Sequence, residues 1–419
     1  MSGDSDPQFA EGVVLFSQGD TTYFLFQILA GEGRNGERTL YARPRTPAGY
    51  QGKVLVKYVA LPSGAPLPEK YQRARIRLEE EVRLAQFLQH PNIARVHGLF
   101  EIKQGLCVAS ESVDGFTLDS LLAIAQARGR YFSEPFALYV FAEVAAALAY
   151  AHERTDDAGF PLGIVNRDVN PTRIRLTPRG GVKLTDFGVA LSRLAGRVAT
   201  SLPRPKGDVV YSAPEVLLGD SVDGRADLFS LGLTLLEFAT GRHLYDPGNM
   251  KMSDLDARLS DEERRRILRA ANVSMDAGLT SVAEDAICWA MAYRTEDVDA
   301  ALQGLPEQLR AIFHKLFKRN PSERFASADE LEKALRVRMA ELLPYGPHDA
   351  VMEVEKALCD AGEAMEELDL RDDEGGFVPT GWRTHSNDED TLPEPRNEDE
   401  LTTNPRPEPR PAVKPPPTV

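Results

Sequence analysis

Gly31-Glu32-Gly33-Arg34-Asn35-Gly36 has the GxGxxG form. Gly31, Gly33 and Gly36 would let backbone N–H groups approach phosphate oxygens with no side chain in the way. Alone the motif is weak, and a glycine-rich hairpin turn explains it at least as well. A dinucleotide-binding βαβ unit is excluded, because the residues after Gly36 read as a strand rather than a helix. Twenty-one residues beyond Gly36, the run Val54-Leu55-Val56-Lys57 is strand-like and ends in a cation suited to phosphate oxygens. Glu81, on the following helical stretch, is a candidate partner for it. Taken singly, each of these charges reads as well as a surface residue.

The series continues with Asn166-Arg167-Asp168-Val169-Asn170-Pro171, and Asp186-Phe187-Gly188 follows eighteen residues after Asp168. Then come Ala213-Pro214-Glu215, Asp227-Leu228-Phe229-Ser230-Leu231-Gly232 and Asn320-Pro321-Ser322-Glu323-Arg324-Phe325. Each piece is common by chance; the ordered series at these spacings is not. Over residues 22–340 the sequence resembles the protein kinase family, and within it the bacterial eukaryotic-like serine/threonine kinases. The resemblance implies an α+β, bilobal fold with a small β-rich N-lobe, a larger helical C-lobe and ATP between them. It assigns Lys57 to the α/β-phosphates, Glu81 to its ion pair, Asp168 to the catalytic base and Asp186 to Mg²⁺. It makes Glu215 and Arg324 a structural ion pair, Asp227 the brace of the catalytic loop and Arg167 the contact to a phosphorylated activation loop. That loop would run from Asp186 to Glu215, with Thr200 and Ser201 as candidate phosphosites.

The sequence departs from the family at one cleft. The catalytic loop of the family reads HRDxxxxN; here the histidine is Asn166 and the metal-binding asparagine is Arg173. Arginine has no acceptor and cannot ligate a cation. At about 5 Å from Mg²⁺, its charge would be repelled by roughly 7 kcal/mol at an effective dielectric of 20. Two-metal chemistry is therefore not expected, whereas Arg173 turned toward phosphate would attract it. Leu55 replaces the small alanine of the pocket ceiling, and Arg38 or Thr39 replaces the valine after the glycine loop. Arg175 replaces a leucine on the floor, where an unpaired buried guanidinium would cost several kcal/mol. Ser110, before the hinge residue Glu111, leaves extra room. Asp208 brings a carboxylate near Asp168, which would raise the pKa of Asp168; an Asp208–Arg173 ion pair would compensate.

Positioning these residues takes two kinds of element. Residues 21–60 alternate and carry glycines between runs, which predicts antiparallel strands. Residues 68–89 predict a helix with Leu78, Val82, Ala85 and Leu88 on one stripe, ended by His90-Pro91-Asn92. Residues 93–112 predict two more strands, and 164–187 a short β region within a helical remainder. The apolar stretch 136–151 reads as a buried helix, too short to span a bilayer. The expected organisation is an N-terminal extension over 1–20, an N-lobe over 21–112 and a C-lobe over 113–345. A helical extension over 346–370 and an acidic, proline-rich, disordered tail over 371–419 complete it.

The 419 residues carry 49 Lys and Arg against 64 Asp and Glu, a net charge of −15. That excess opposes nonspecific binding to nucleic acid or anionic membranes. Three scattered cysteines predict neither zinc site nor disulfide framework, and a cytoplasmic location. The leading expectation is a kinase-like signalling regulator, a pseudokinase or weak kinase that binds another signalling protein or kinase. An active serine/threonine kinase using ATP through Lys57, Asp168 and Asp186 is the first alternative. A sensor of an anionic small ligand, built on Arg38, Arg173 and Arg175, is the second.

Overall fold

The computed structural model describes residues 12–30, 37–60, 69–102, 105–194, 208–245, 254, 257–276 and 281–369. Gly31, Gly33, Gly36, Thr200, Ser201 and the tail 371–419 lie outside the described residues, so the expectations for them are not addressed below.

The N-lobe is a seven-stranded antiparallel sheet and one helix. Its strands are β1 (Val14–Gln18), β2 (Thr21–Ala30), β3 (Glu37–Thr46), β4 (Gly49–Tyr50), β5 (Val54–Ala60), β6 (Val96–Ile102) and β7 (Gly105–Glu111). They run in the order β1-β2-β3-β5-β7-β6, with β4 paired to β3. The sheet curls until its edges meet: Phe16 of β1 stacks on Phe100 of β6 with ring centroids 4.3 Å apart. The lobe therefore starts before residue 21, and part of the expected N-terminal extension is a strand of its sheet. Leu25, Leu40, Val54, Val56 and Tyr58 fill the inside of the curl.

Helix α1 (Glu69–Ala85) packs Ala74 and Leu78 on Val59, Leu106 and Val108. Its fully buried positions are Ala74, Leu78, Glu81 and Leu84, while Val82 is half-buried on the same cluster and Ala85 is half-buried. Glu81 shares this packed side because its carboxylate is paired with Lys57. After α1 the segment at His90 to Ala94 joins the lobes. Asn92 Nδ2 donates to Glu143 Oε2 (2.8 Å) and to the Val182 carbonyl (2.9 Å), and Ala94 N–H donates to the Leu184 carbonyl.

The C-lobe begins with a small sheet of β8 (Phe116–Thr117), β9 (Ile174–Leu176) and β10 (Val182–Leu184). Helix α2 (Leu118–Ala127) starts on Thr117, whose hydroxyl accepts from Ser120 N–H, a cap worth about 1 kcal/mol. Helix α3 (Glu134–His152) is long and apolar enough to cross a membrane by composition, but it is buried in the lobe core. Helices α4 (Pro214–Leu217), α5 (Arg225–Thr240), α6 (Asp261–Asp276), α7 (Ser281–Ala292), α8 (Thr295–Ala301), α9 (Glu307–Leu316) and α10 (Ala328–Ala340) complete the bundle.

One more helix, α11 (Pro347–Asp369), docks on the lobe through Ala350, Val354 and Ala357. Glu353 accepts from both the Ser133 N–H (2.6 Å) and its hydroxyl (2.7 Å), at the start of α3. Gly180, in the β9–β10 turn with φ +79°, lies so close to the Pro347 carbonyl that a Cβ would sit 2.0 Å from its oxygen. Only glycine fits that approach.

Candidate active site

Strand β5 alternates, with Val54, Val56 and Tyr58 buried inside the sheet and Leu55 and Lys57 half-buried on its other face. Lys57 Nζ lies 3.0 Å from each Glu81 carboxylate oxygen and 2.9 Å from Asp186 Oδ1. Burial alone would depress the ammonium, but Asp186 and Glu81 hold it well above its ordinary pKa. Burial raises Glu81 against the pull of Lys57.

The loop that carries Asp168 hangs from one buried side chain of α5. Asp227 Oδ1 accepts from Arg167 N–H, and its Oδ2 accepts from Asn166 N–H and faces His152 Nε2, each at 2.8 Å. Asn166 works at both ends: Nδ2 donates to the Asp186 carbonyl (3.0 Å) and Oδ1 accepts from Asp168 N–H (3.0 Å). Arg167 and Asp186 are the two non-glycine residues with positive φ among the described residues, both at 64°. Such backbone strain collects where a site over-determines it. The Arg167 guanidinium donates to the Val189 carbonyl through Nε (3.1 Å) and through Nη2.

Asp168 is 6% exposed. Its Oδ2 accepts from Arg173 Nε at 2.7 Å, and its Oδ1 accepts from Asn170 Nδ2 and Asp208 N–H, both at 3.0 Å. Arg173 Nη1 reaches on to Asp186 Oδ2 at 3.4 Å. Glu81, Lys57, Asp186, Arg173 and Asp168 thus form one chain of alternating charge across the cleft. Burial raises Asp168 against Arg173; burial also opposes ionisation of Asp186, but Lys57 and Arg173 together hold it well below the usual carboxylate range. Deeper in the C-lobe, Arg324 meets Glu215 in a bidentate pair (2.6 and 2.8 Å).

A family model for the protein kinase domain matches residues 52–335, a span that holds every link of this charge chain. The chain belongs to the protein kinase family. It is 31% identical to a tyrosine-protein kinase, MasK, of Myxococcus xanthus over 340 residues, 80% of this chain and 46% of that one. It is 37% identical to the serine/threonine-protein kinase PknJ of Mycobacterium tuberculosis over 178 residues, 42% of this chain and 28% of that one. With PrkC of Bacillus subtilis it shares 31% over 170 residues, 41% of this chain and 24% of the relative. The chain spans less than half the length of these relatives.

In this kinase cleft the strand register chooses between the two residues the sequence left open after the glycine loop, Arg38 and Thr39, and puts Thr39 on the face of Lys57. The residue directly across from Leu55 is Tyr41, and Thr39 stands across from Lys57. Residues opposite each other in an antiparallel pair share a face, so Tyr41 joins Leu55 over the base pocket. Arg38 pairs with Tyr58, a buried residue inside the curl. It therefore does not share the cleft face with Arg173 and Arg175, as the anion-sensor reading required. Lys53 Nζ lies 4.8 Å from the Tyr41 ring centroid and pairs with Asp114 just beyond the hinge at 3.0 Å. Opposite Leu55 on β7 stands Ser110, its hydroxyl 3.5 Å from the Leu55 carbonyl.

On the floor, Arg175 is not the unpaired buried charge expected from sequence. Its Nη2 donates to the Gly115 carbonyl at 2.9 Å at an exposed position, and its Nε is buried without a partner among the described residues. Asp208 does not take Arg173 from Asp168 either. Its carboxylate accepts from Val210 N–H and caps a short 3-10 turn, while Arg173 bonds Asp168 at 2.7 Å and reaches Asp186 at 3.4 Å. Its charge still adds to the field that holds Arg173. Asn170 and Tyr41 are site residues that motif reading missed. The first lies two places after Asp168, and the second was recoverable from the β3–β5 pairing alone.

Family membership implies ATP and usually Mg²⁺. The residues present do not fit Mg²⁺ in its ordinary place: Arg173 stands where the second metal ligand would be, with its guanidinium 3.4 Å from Asp186, and it offers no lone pair.

Proposed function

We propose that this chain is a kinase-fold signalling regulator of the cytoplasm that does not run ordinary phosphoryl transfer. It acts by engaging another signalling protein, such as an active kinase. The observation that supports this reading is the state of Asp168. A catalytic base must take the proton of a substrate hydroxyl within hydrogen-bond reach. Both oxygens of Asp168 already accept hydrogen bonds, one of them charge-assisted from Arg173 at 2.7 Å. Such bonds are about twice as strong as neutral ones. The Lys57–Glu81 pair then holds α1 on the N-lobe sheet, and the Lys57–Asp186 contact joins the lobes.

One observation favours an active kinase instead. Lys57 pairs with Glu81, the ion pair that phosphoryl transfer requires. Incubation with labelled ATP, Mg²⁺, generic protein substrates and the chain itself separates the readings. Turnover no higher than in an Asp168→Asn control is expected. Robust transfer that the control lacks would overturn the proposal.

A further inference from the structure

We infer that Arg173 is the resident cation of the phosphate site, so that this cleft binds a nucleotide phosphate chain without divalent metal. The inference rests on the reading above in using the same contact, but it concerns binding rather than turnover.

Charge counting comes first. Glu81, Asp168 and Asp186 bring three negative charges to the cleft, and Lys57 brings one positive charge. With a neutral residue at position 173 the excess would be two negative charges, which one divalent ion cancels. Arg173 halves that excess with a covalently tethered charge, lying 2.7 Å from Asp168 and 3.4 Å from Asp186. A divalent ion added to this arrangement must crowd a guanidinium that already sits between Asp168 and Asp186.

Exposure decides which member of the cluster an incoming anion meets. The Arg173 side chain is 39% exposed, against 6% for Asp168 and 19% for Asp186. The carboxylates are backed by the arginine and by Lys57; the open side of the cluster is cationic. Guanidinium presents five donors in a planar fork, a good match for phosphate oxygens. Because it remains protonated at every physiological pH, such a cation is also always in place.

The test is titration calorimetry of the full chain with ATP in EDTA and in excess MgCl₂. For the wild type the dissociation constant is expected to agree within about twofold between the two conditions. Arg173→Asn is expected to lose at least roughly tenfold in EDTA, about 1.4 kcal/mol, and to regain it in MgCl₂. Arg173→Lys, which keeps the charge, should stay metal-independent, and it serves as the second variant if Arg173→Asn does not fold. Wild-type binding tightened tenfold by Mg²⁺, or no binding in either condition, would overturn the inference. Metal-dependent binding without transfer sinks this inference alone, whereas Asp168-dependent transfer sinks the functional reading alone.

Discussion

Asn166 stands where the family has histidine, and both ends of its amide are used to join two strained turns. Its donor reaches the Asp186 carbonyl and its acceptor takes the Asp168 N–H. It is 1% exposed, so water cannot replace either bond. Asn166→Ala is expected to lower unfolding free energy by about 1–3 kcal/mol, the cost of orphaning buried polar groups. Denaturant midpoints check this; a change within the roughly 0.5 kcal/mol typical of surface substitutions would show that the loop is held elsewhere. At this scale the sequence was readable where chemistry is tied to local spacing. Lys57, Glu81, Asp168 and Asp186 meet as the motif order implied. What fills the gaps between them was not readable. Whether Arg173 turns to Asp208, to Asp168 or to phosphate is a rotamer choice set by neighbours far away in sequence.

Among the elements, the turn after α5 holds a group that resists acid. His243 Nδ1 accepts from Tyr245 N–H at 3.1 Å, and its ring meets Tyr211 edge-on with centroids 5.1 Å apart. The proton of the neutral ring therefore sits on Nε2, which has no hydrogen-bond partner among the described residues. Protonation would break the bond at Nδ1, and burial pushes the pKa down to about 4. The unfolded chain takes the same proton near 6.5. The stabilisation from this group is complete above pH 6.5 and is lost as pH falls toward 4. It amounts to on the order of 3 kcal/mol. Urea midpoints at pH 7 and pH 5 should diverge for the wild type, and His243→Gln should remove most of that divergence. An unchanged slope in the variant would assign it to other groups. Nothing in a lone histidine announces its burial. The burial of Glu81 was hidden for a similar reason: hydrophobic spacing marks Val82, which does pack on the sheet, but nothing in it marks a glutamate buried by its ion pair.

Across the whole molecule, two-lobed architecture followed directly from strand alternation giving way to helical periodicity. The strand β1 did not, because five residues with one buried aromatic carry too little pattern. The C-lobe is pinned by Arg324, whose five N–H groups reach Glu215 twice and the carbonyls of Lys318, Arg225 and Arg319. It is 3% exposed. Arg324→Ala leaves the Glu215 carboxylate buried and unpaired, and about 3–5 kcal/mol of stability should be lost; calorimetric unfolding at neutral pH measures it, and a loss under about 1 kcal/mol would contradict the buried-pair account. The helix α11 bears on where this molecule is trimmed. The family match stops at residue 335, inside α10. A gene shortened to that match would end mid-helix and strip the acceptor from the Ser133 N–H and the apolar cover that Ala350, Val354 and Ala357 provide. For anyone expressing this protein, the smallest self-sufficient piece extends into α11, at least one docking face beyond the stretch that sequence comparison outlines.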